Sequence, residues 1–131
     1  MSGQMVSYMG RSLGTAAGSI VVPAIIQRAG EHASRRFLEF FAAQIRNPGT
    51  RRAYFQAVDR FCHWCDHHHL DFADIEPLVI ATYIEQLTYE LSAPTVKLHL
   101  AAIRMLYDWL VTGQVVPFNP AASVRARSMS L

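Results

Sequence analysis

Cysteine is nearly absent from this chain, and what there is lies in one place. The two cysteines among 131 residues, Cys62 and Cys65, stand three positions apart, so they cannot staple a small fold as a disulfide framework. Charge is sparse as well, at 17% of residues against 51% apolar, which leaves room for an apolar surface that another molecule covers. Long hydrophobic runs are missing. The run Ile20–Ile26 contains Pro23 and falls far short of the roughly 20 residues of a membrane span. No cluster of positive charge precedes it, so no signal peptide is expected, no membrane partner either, and the expected compartment is cytoplasmic. The usual fingerprints of catalysis are lacking: there is no P-loop, no dinucleotide-binding glycine pattern, no G-x-S-x-G elbow and no H-E-x-x-H. No cofactor is therefore expected. Strand patterns are lacking too, since Val115-Val116-Pro117-Phe118 is short and broken by proline.

What remains is helical periodicity. Residues 1–19 carry glycines and small side chains without a sustained period, and read as a flexible lead. Residues 20–31 fit either an arm packed on the domain or a short helical turn. A first helix is predicted over Ala33–Ile45, with Phe37, Phe41 and Ile45 on one stripe and Leu38 beside it. Asn47-Pro48-Gly49 stops it, and Thr50 is placed to cap a second helix over Arg51–His68. That helix turns Tyr54, Val58, Phe61 and Cys65 to the core, flanked by Phe55 and Cys62. A third begins at Pro77 and buries Val79 or Ile80, with Tyr83, Ile84 and Leu87. The fourth follows Ser92 and repeats Val96, Leu100, Ile103, Tyr107 and Leu110, ending at Gly113 as its cap. A short turn at Pro120–Val124 leads into a basic tail. The expected fold is all-α, a compact bundle of four main helices over residues 31–118, with residues 1–30 before it and residues 119–131 as a linker.

The charges divide sharply along the chain. Residues 46–60 carry Arg46, Arg51, Arg52 and Arg60 against Asp59 alone. Residues 66–90 carry six acidic side chains and no Lys or Arg, and residues 91–131 are again net basic. A net charge of +2 hides this division. Opposite the core, the second helix presents Arg52, Gln56 and Arg60 at four-residue spacing, with Arg51 at the rim. The fourth presents Lys97, Ala101 and Arg104, closed by Asp108. Thr50 and Thr95, with the free N–H groups of the two helix starts, are placed to take phosphates. Such faces suit either plain solvation or contact with a nucleic acid, and the spacing alone leaves both open.

The run CHWCDHHH at residues 62–69 has ligand-like chemistry. All its candidates lie on one helix and its end, however, and a closed tetrahedral metal site draws on two segments. A redox Cys-x-x-Cys belongs at a helix start after a strand. Core thiols and a polar histidine turn, favoured by the helix dipole, are the expected reading. Asp71, Asp74 and Glu76 read as solubilising and capping groups.

Together three further patterns are specific: T-R-R-A-Y at Thr50–Tyr54, S-x-x-T-V-K at Ser92–Lys97 leading into L-x-A-I-R-x-L, and N-P-A at Asn119–Ala121. With them the stretch of about residues 33–126 resembles the N-terminal core-binding domain of tyrosine recombinases, the phage-integrase family. RAGEHASRRFLEFF extends the resemblance upstream to Arg28. The resemblance implies a SAM-like helical domain forming one half of a C-shaped clamp on double-stranded DNA. A larger C-terminal catalytic domain with a tyrosine nucleophile would form the other half. It implies that the second and fourth helices face DNA, which maps onto Thr50, Arg51, Arg52, Gln56 and Arg60, and onto Thr95, Lys97 and Arg104. Leu98 stands where such domains often carry an arginine. No R…H-x-x-R…Y series follows Ala121, so this chain is expected not to cut DNA. The absent catalytic domain and neighbouring protomers are the further expected partners, through Leu98, Met105, Trp109 and Val115–Phe118. The alternative is a helical protein-interaction or oligomerisation module.

Overall fold

Proline opens three of the helices, where its missing N–H leaves no hydrogen bond unmade. The computed structural model describes residues 20–126. After a buried arm, α1 spans Ala24–Arg28 and α2 spans Glu31–Glu39, the latter running on as a π-helical turn over Phe40–Gln44. Helix α3 is Pro48–His67, a 3₁₀ turn covers Phe72–Asp74, and α4 and α5 are Pro77–Thr88 and Ala93–Thr112. The described residues thus form an all-α bundle. The long helices α3 and α5 pack on each other most extensively, α2 and α4 both lean on α5, and α1 contacts α2, α3 and the 3₁₀ turn.

The predicted stripes are the core. Phe37, Leu38, Phe41 and Ile45 are buried, as are Val58, Phe61, Cys62 and Cys65. So are Ile80, Tyr83, Ile84 and Leu87, and all of Val96, Leu100, Ile103, Tyr107 and Leu110. Tyr54 and Phe55 are only half-buried. Phe40 joins the core unpredicted. The π-helical turn holds more residues per turn than an α-helix, so it brings both Phe40 and Phe41 inward, 4.8 Å apart and edge to face.

Two helix starts differ from expectation. Helix α2 starts at Glu31, after Gly30 with φ 114, a conformation that favours glycine. Thr50 does not cap α3. Asn47 does, its side chain accepting from the Thr50 N–H at 3.0 Å, and Pro48 occupies the first turn. The same Asn-Pro pair therefore begins one helix rather than merely ending another. Gly113 caps the end of α5 as expected, with an ordinary φ of −83, and it is Gln114 that takes the left-handed conformation at φ 64.

Residues 20–31 are both an arm and a short helix: Ile20, Val22, Ile25 and Ile26 are buried in the common core. The flexible lead expected over residues 1–19 lies outside the described residues, as do residues 127–131. No described helix is long and apolar enough to cross a membrane.

Candidate nucleic-acid interface

The basic residues singled out in the sequence reach three different fates. Arg52, Gln56 and Arg60 stand exposed in line along α3, and Lys97 is exposed on α5. Arg51, by contrast, turns back on α2. Its Nε donates to the carbonyls of Phe41 at 2.8 Å and Ile45 at 3.0 Å, and its Nη2 to Ile45 at 2.6 Å. It satisfies carbonyls left open where the π-helical turn ends, so it caps one helix from the next. Arg104 is likewise half-buried. Its Nε donates to the Ala121 carbonyl at 3.1 Å, and its Nη2 donates to that of Val124.

Thr50 is exposed at the start of α3, but its N–H is taken by Asn47. Thr95 is half-buried, with its hydroxyl 2.9 Å from that of Ser92, which also caps α5. Both helix starts are therefore already supplied with side-chain acceptors. Arg60 forms an ion pair with Glu90 on the turn between α4 and α5. Arg52 and Lys97 have no ion-pair partner among the described residues. Arg46, counted in the basic stretch but not among the site residues, is exposed just ahead of α3.

The acidic segment is less separate than its sequence suggests. Arg28 of α1 bridges Asp66 at 2.9 Å and Asp71 at 2.8 Å. Asp71 and Asp74 also close a reciprocal capping box on the 3₁₀ turn. Glu90 reaches across to α3.

The remaining reactive groups face inward. Cys62 and Cys65 are free and buried; burial pushes both thiols up, Cys65 to about 12, which disfavours the thiolate. No three His, Cys, Asp or Glu side chains come together in a metal-holding group among the described residues. The histidine run ends α3: His69 takes φ 60, the Leu70 N–H returns to the Cys65 carbonyl, and His68 rests on Trp64 at 4.5 Å. Tyr107 is buried against Phe72, and burial pushes its hydroxyl up strongly, a poor setting for a nucleophile.

The family model for the phage integrase N-terminal SAM-like domain matches residues 35–114. That span is more than half of the chain. The chain belongs to this family. No curated protein matches, and no solved structure does. The matched part of this SAM-like integrase domain begins within α2 and runs just past α5, so it takes in α3, α4 and α5 whole. It is the N-terminal domain of such proteins and not their catalytic one. Helix α1 and the segment 119–126 lie outside the match and are attached to it by side-chain contacts.

The sequence reading missed the roles of Asn47 as a helix cap, of Glu90 as the partner of Arg60 and of Asn119 as a tie to α5. Asn47 was legible, as a favoured cap directly before proline. Glu90 and Asn119 act over 30 and 15 residues, and nothing in their local pattern signals it.

Proposed function

We propose that this domain clamps duplex DNA as the non-catalytic core-binding part of a site-specific tyrosine recombinase. One observation carries the reading: Arg52 and Lys97, with Gln56 between Arg52 and Arg60, are exposed on α3 and α5, the two helices that pack on each other. Exposed arginine and lysine around a short or neutral side chain let helix backbone approach phosphates, arginine as a fork and lysine as a point charge. The family membership supports the same partner. Arg51 and Arg104 contribute by shaping the surface, since their guanidinium groups bind backbone carbonyls.

Fluorescence anisotropy with a labelled duplex at two salt concentrations tests this. Arg52→Ala and Lys97→Ala are each expected to weaken binding about threefold to tenfold and to reduce the salt slope by about one. Folding, followed by circular dichroism, should not change. Binding indifferent to both substitutions, or none at low salt, would sink the reading.

A second reading has its own observation. Leu98 and Met105 are 36% and 40% exposed on α5, and Met105 edges a groove of about 370 Å³ with Phe40, Gln44, Asp108, Trp109 and Thr112. That surface suits a protein partner. A concentration-dependent sedimentation coefficient abolished by Met105→Glu would favour it.

A further inference from the structure

Glu90 occupies an unusual position for an acidic side chain. It lies on the turn that joins α4 to α5, two residues before Ser92, the cap of α5. Its carboxylate pairs with Arg60, a member of the exposed row on α3. Helix starts and guanidinium groups both favour an anion, and here the chain brings its own. No other ion-pair partner of Arg60 exists among the described residues. The two polar groups that Arg60 influences from nearby, the Tyr83 hydroxyl and His99 Nδ1, are buried and make no hydrogen bond.

We propose that Glu90 is a built-in phosphate mimic, an anion that a DNA backbone phosphate must displace from Arg60. The proposal rests on the DNA-binding reading above and adds what regulates it. A displaceable pair rather than a fixed brace follows from its exposure: the Arg60 and Glu90 side chains are 43% and 56% accessible. A pair that open contributes little to folding. Glu90 takes Arg60 through one oxygen and Nη2 alone, whereas a phosphate can accept from the guanidinium as a fork and has the field of the whole duplex behind it. The carboxylate therefore raises the threshold for binding at Arg60, while Arg52 and Lys97 have no ion-pair partner among the described residues.

The test compares Glu90→Gln with Glu76→Gln in duplex-DNA anisotropy titrations across salt. Glu76 is an exposed acid of the same segment, so its substitution controls for net charge. Glu90→Gln is expected to bind about threefold to tenfold tighter than wild type, with a salt slope steeper by about one. Glu76→Gln should change both much less. In an Arg60→Ala background the Glu90→Gln gain should shrink to the level of the control. If wild type binds and Glu90→Gln binds no tighter than Glu76→Gln, the proposal falls and the DNA reading stands. Weaker binding by Glu90→Gln would also overturn it, by making Glu90 a brace for Arg60. If neither wild type nor Glu90→Gln binds duplex at low salt, the DNA reading falls and takes the proposal with it.

Discussion

Arg36 and Gly113 show how much one side chain can ask of a distant residue. The Arg36 guanidinium lies over the Trp109 ring at 4.4 Å and holds Glu39 at 2.8 Å, while the Trp109 indole N–H donates to the Arg36 carbonyl at 2.7 Å. A Cβ at position 113 would meet Arg36 Nε at 2.4 Å. Gly113 is therefore needed for space and not for handedness. Gly113→Ala is expected to destabilise the fold by about 1–3 kcal/mol in urea unfolding, and the loss should shrink in an Arg36→Ala background. His99 gives the second prediction at this scale. Burial first, and the Arg60 charge second, lower its pKa below the ordinary 6.5 in the folded chain. As pH falls, the unfolded chain takes up the proton first. Stability is then full above that value and declines as the pH falls toward the folded-state pKa. Unfolding at about pH 7.5 and about pH 5.5 should give the lower stability in acid, and His99→Leu should reduce the difference.

Among the elements, the segment after α5 is fixed by a small polar clasp. The Asn119 amide donates to the Arg104 carbonyl at 3.1 Å and to Asp108 Oδ1 at 2.7 Å, while its oxygen accepts the Ala121 N–H at 2.8 Å. Arg104 completes the clasp through the carbonyls of Ala121 and Val124, and Ala121 and Val124 are buried beneath it. Asn119→Ala is expected to free the segment, speeding tryptic cleavage after Arg125 about tenfold with little change in helix content. Lost DNA binding in Arg104→Ala would then report a displaced segment as readily as a lost phosphate contact. The start of the 119–124 turn was legible in Asn-Pro, yet its attachment to α5 was not. The sequence places Arg104 on an outward face by helical spacing, and spacing says nothing of which carbonyls a later segment brings there.

For the molecule as a whole, a net charge of +2 supplies little long-range attraction, so the proposed DNA contact would depend on where the charges are placed. Folding redistributes them. Arg28, upstream of the basic stretch, neutralises the first acids of the acidic one, and Glu90 from its far end neutralises part of the basic face. The salt-dependent loss expected for Arg52→Ala and Lys97→Ala rests on these two having no such partner among the described residues. Residues 20–30 belong to this scale as well. Their short pattern carries no period, and the burial of Ile25 and Ile26 belongs to a helix that meets α2, α3 and the 3₁₀ turn only once folded.

Legible from the chain alone were the all-α class, the apolar stripes of the long helices, the starts of α4 at Pro77 and of α5 after Ser92, and the family. These follow from spacing within about twenty residues, where helical geometry alone decides which side chains share a face. Packing between elements sets which cations stay open. A guanidinium pairs with whatever carbonyl or carboxylate the fold brings near, and Arg51, Arg60 and Arg104 each found one on another element.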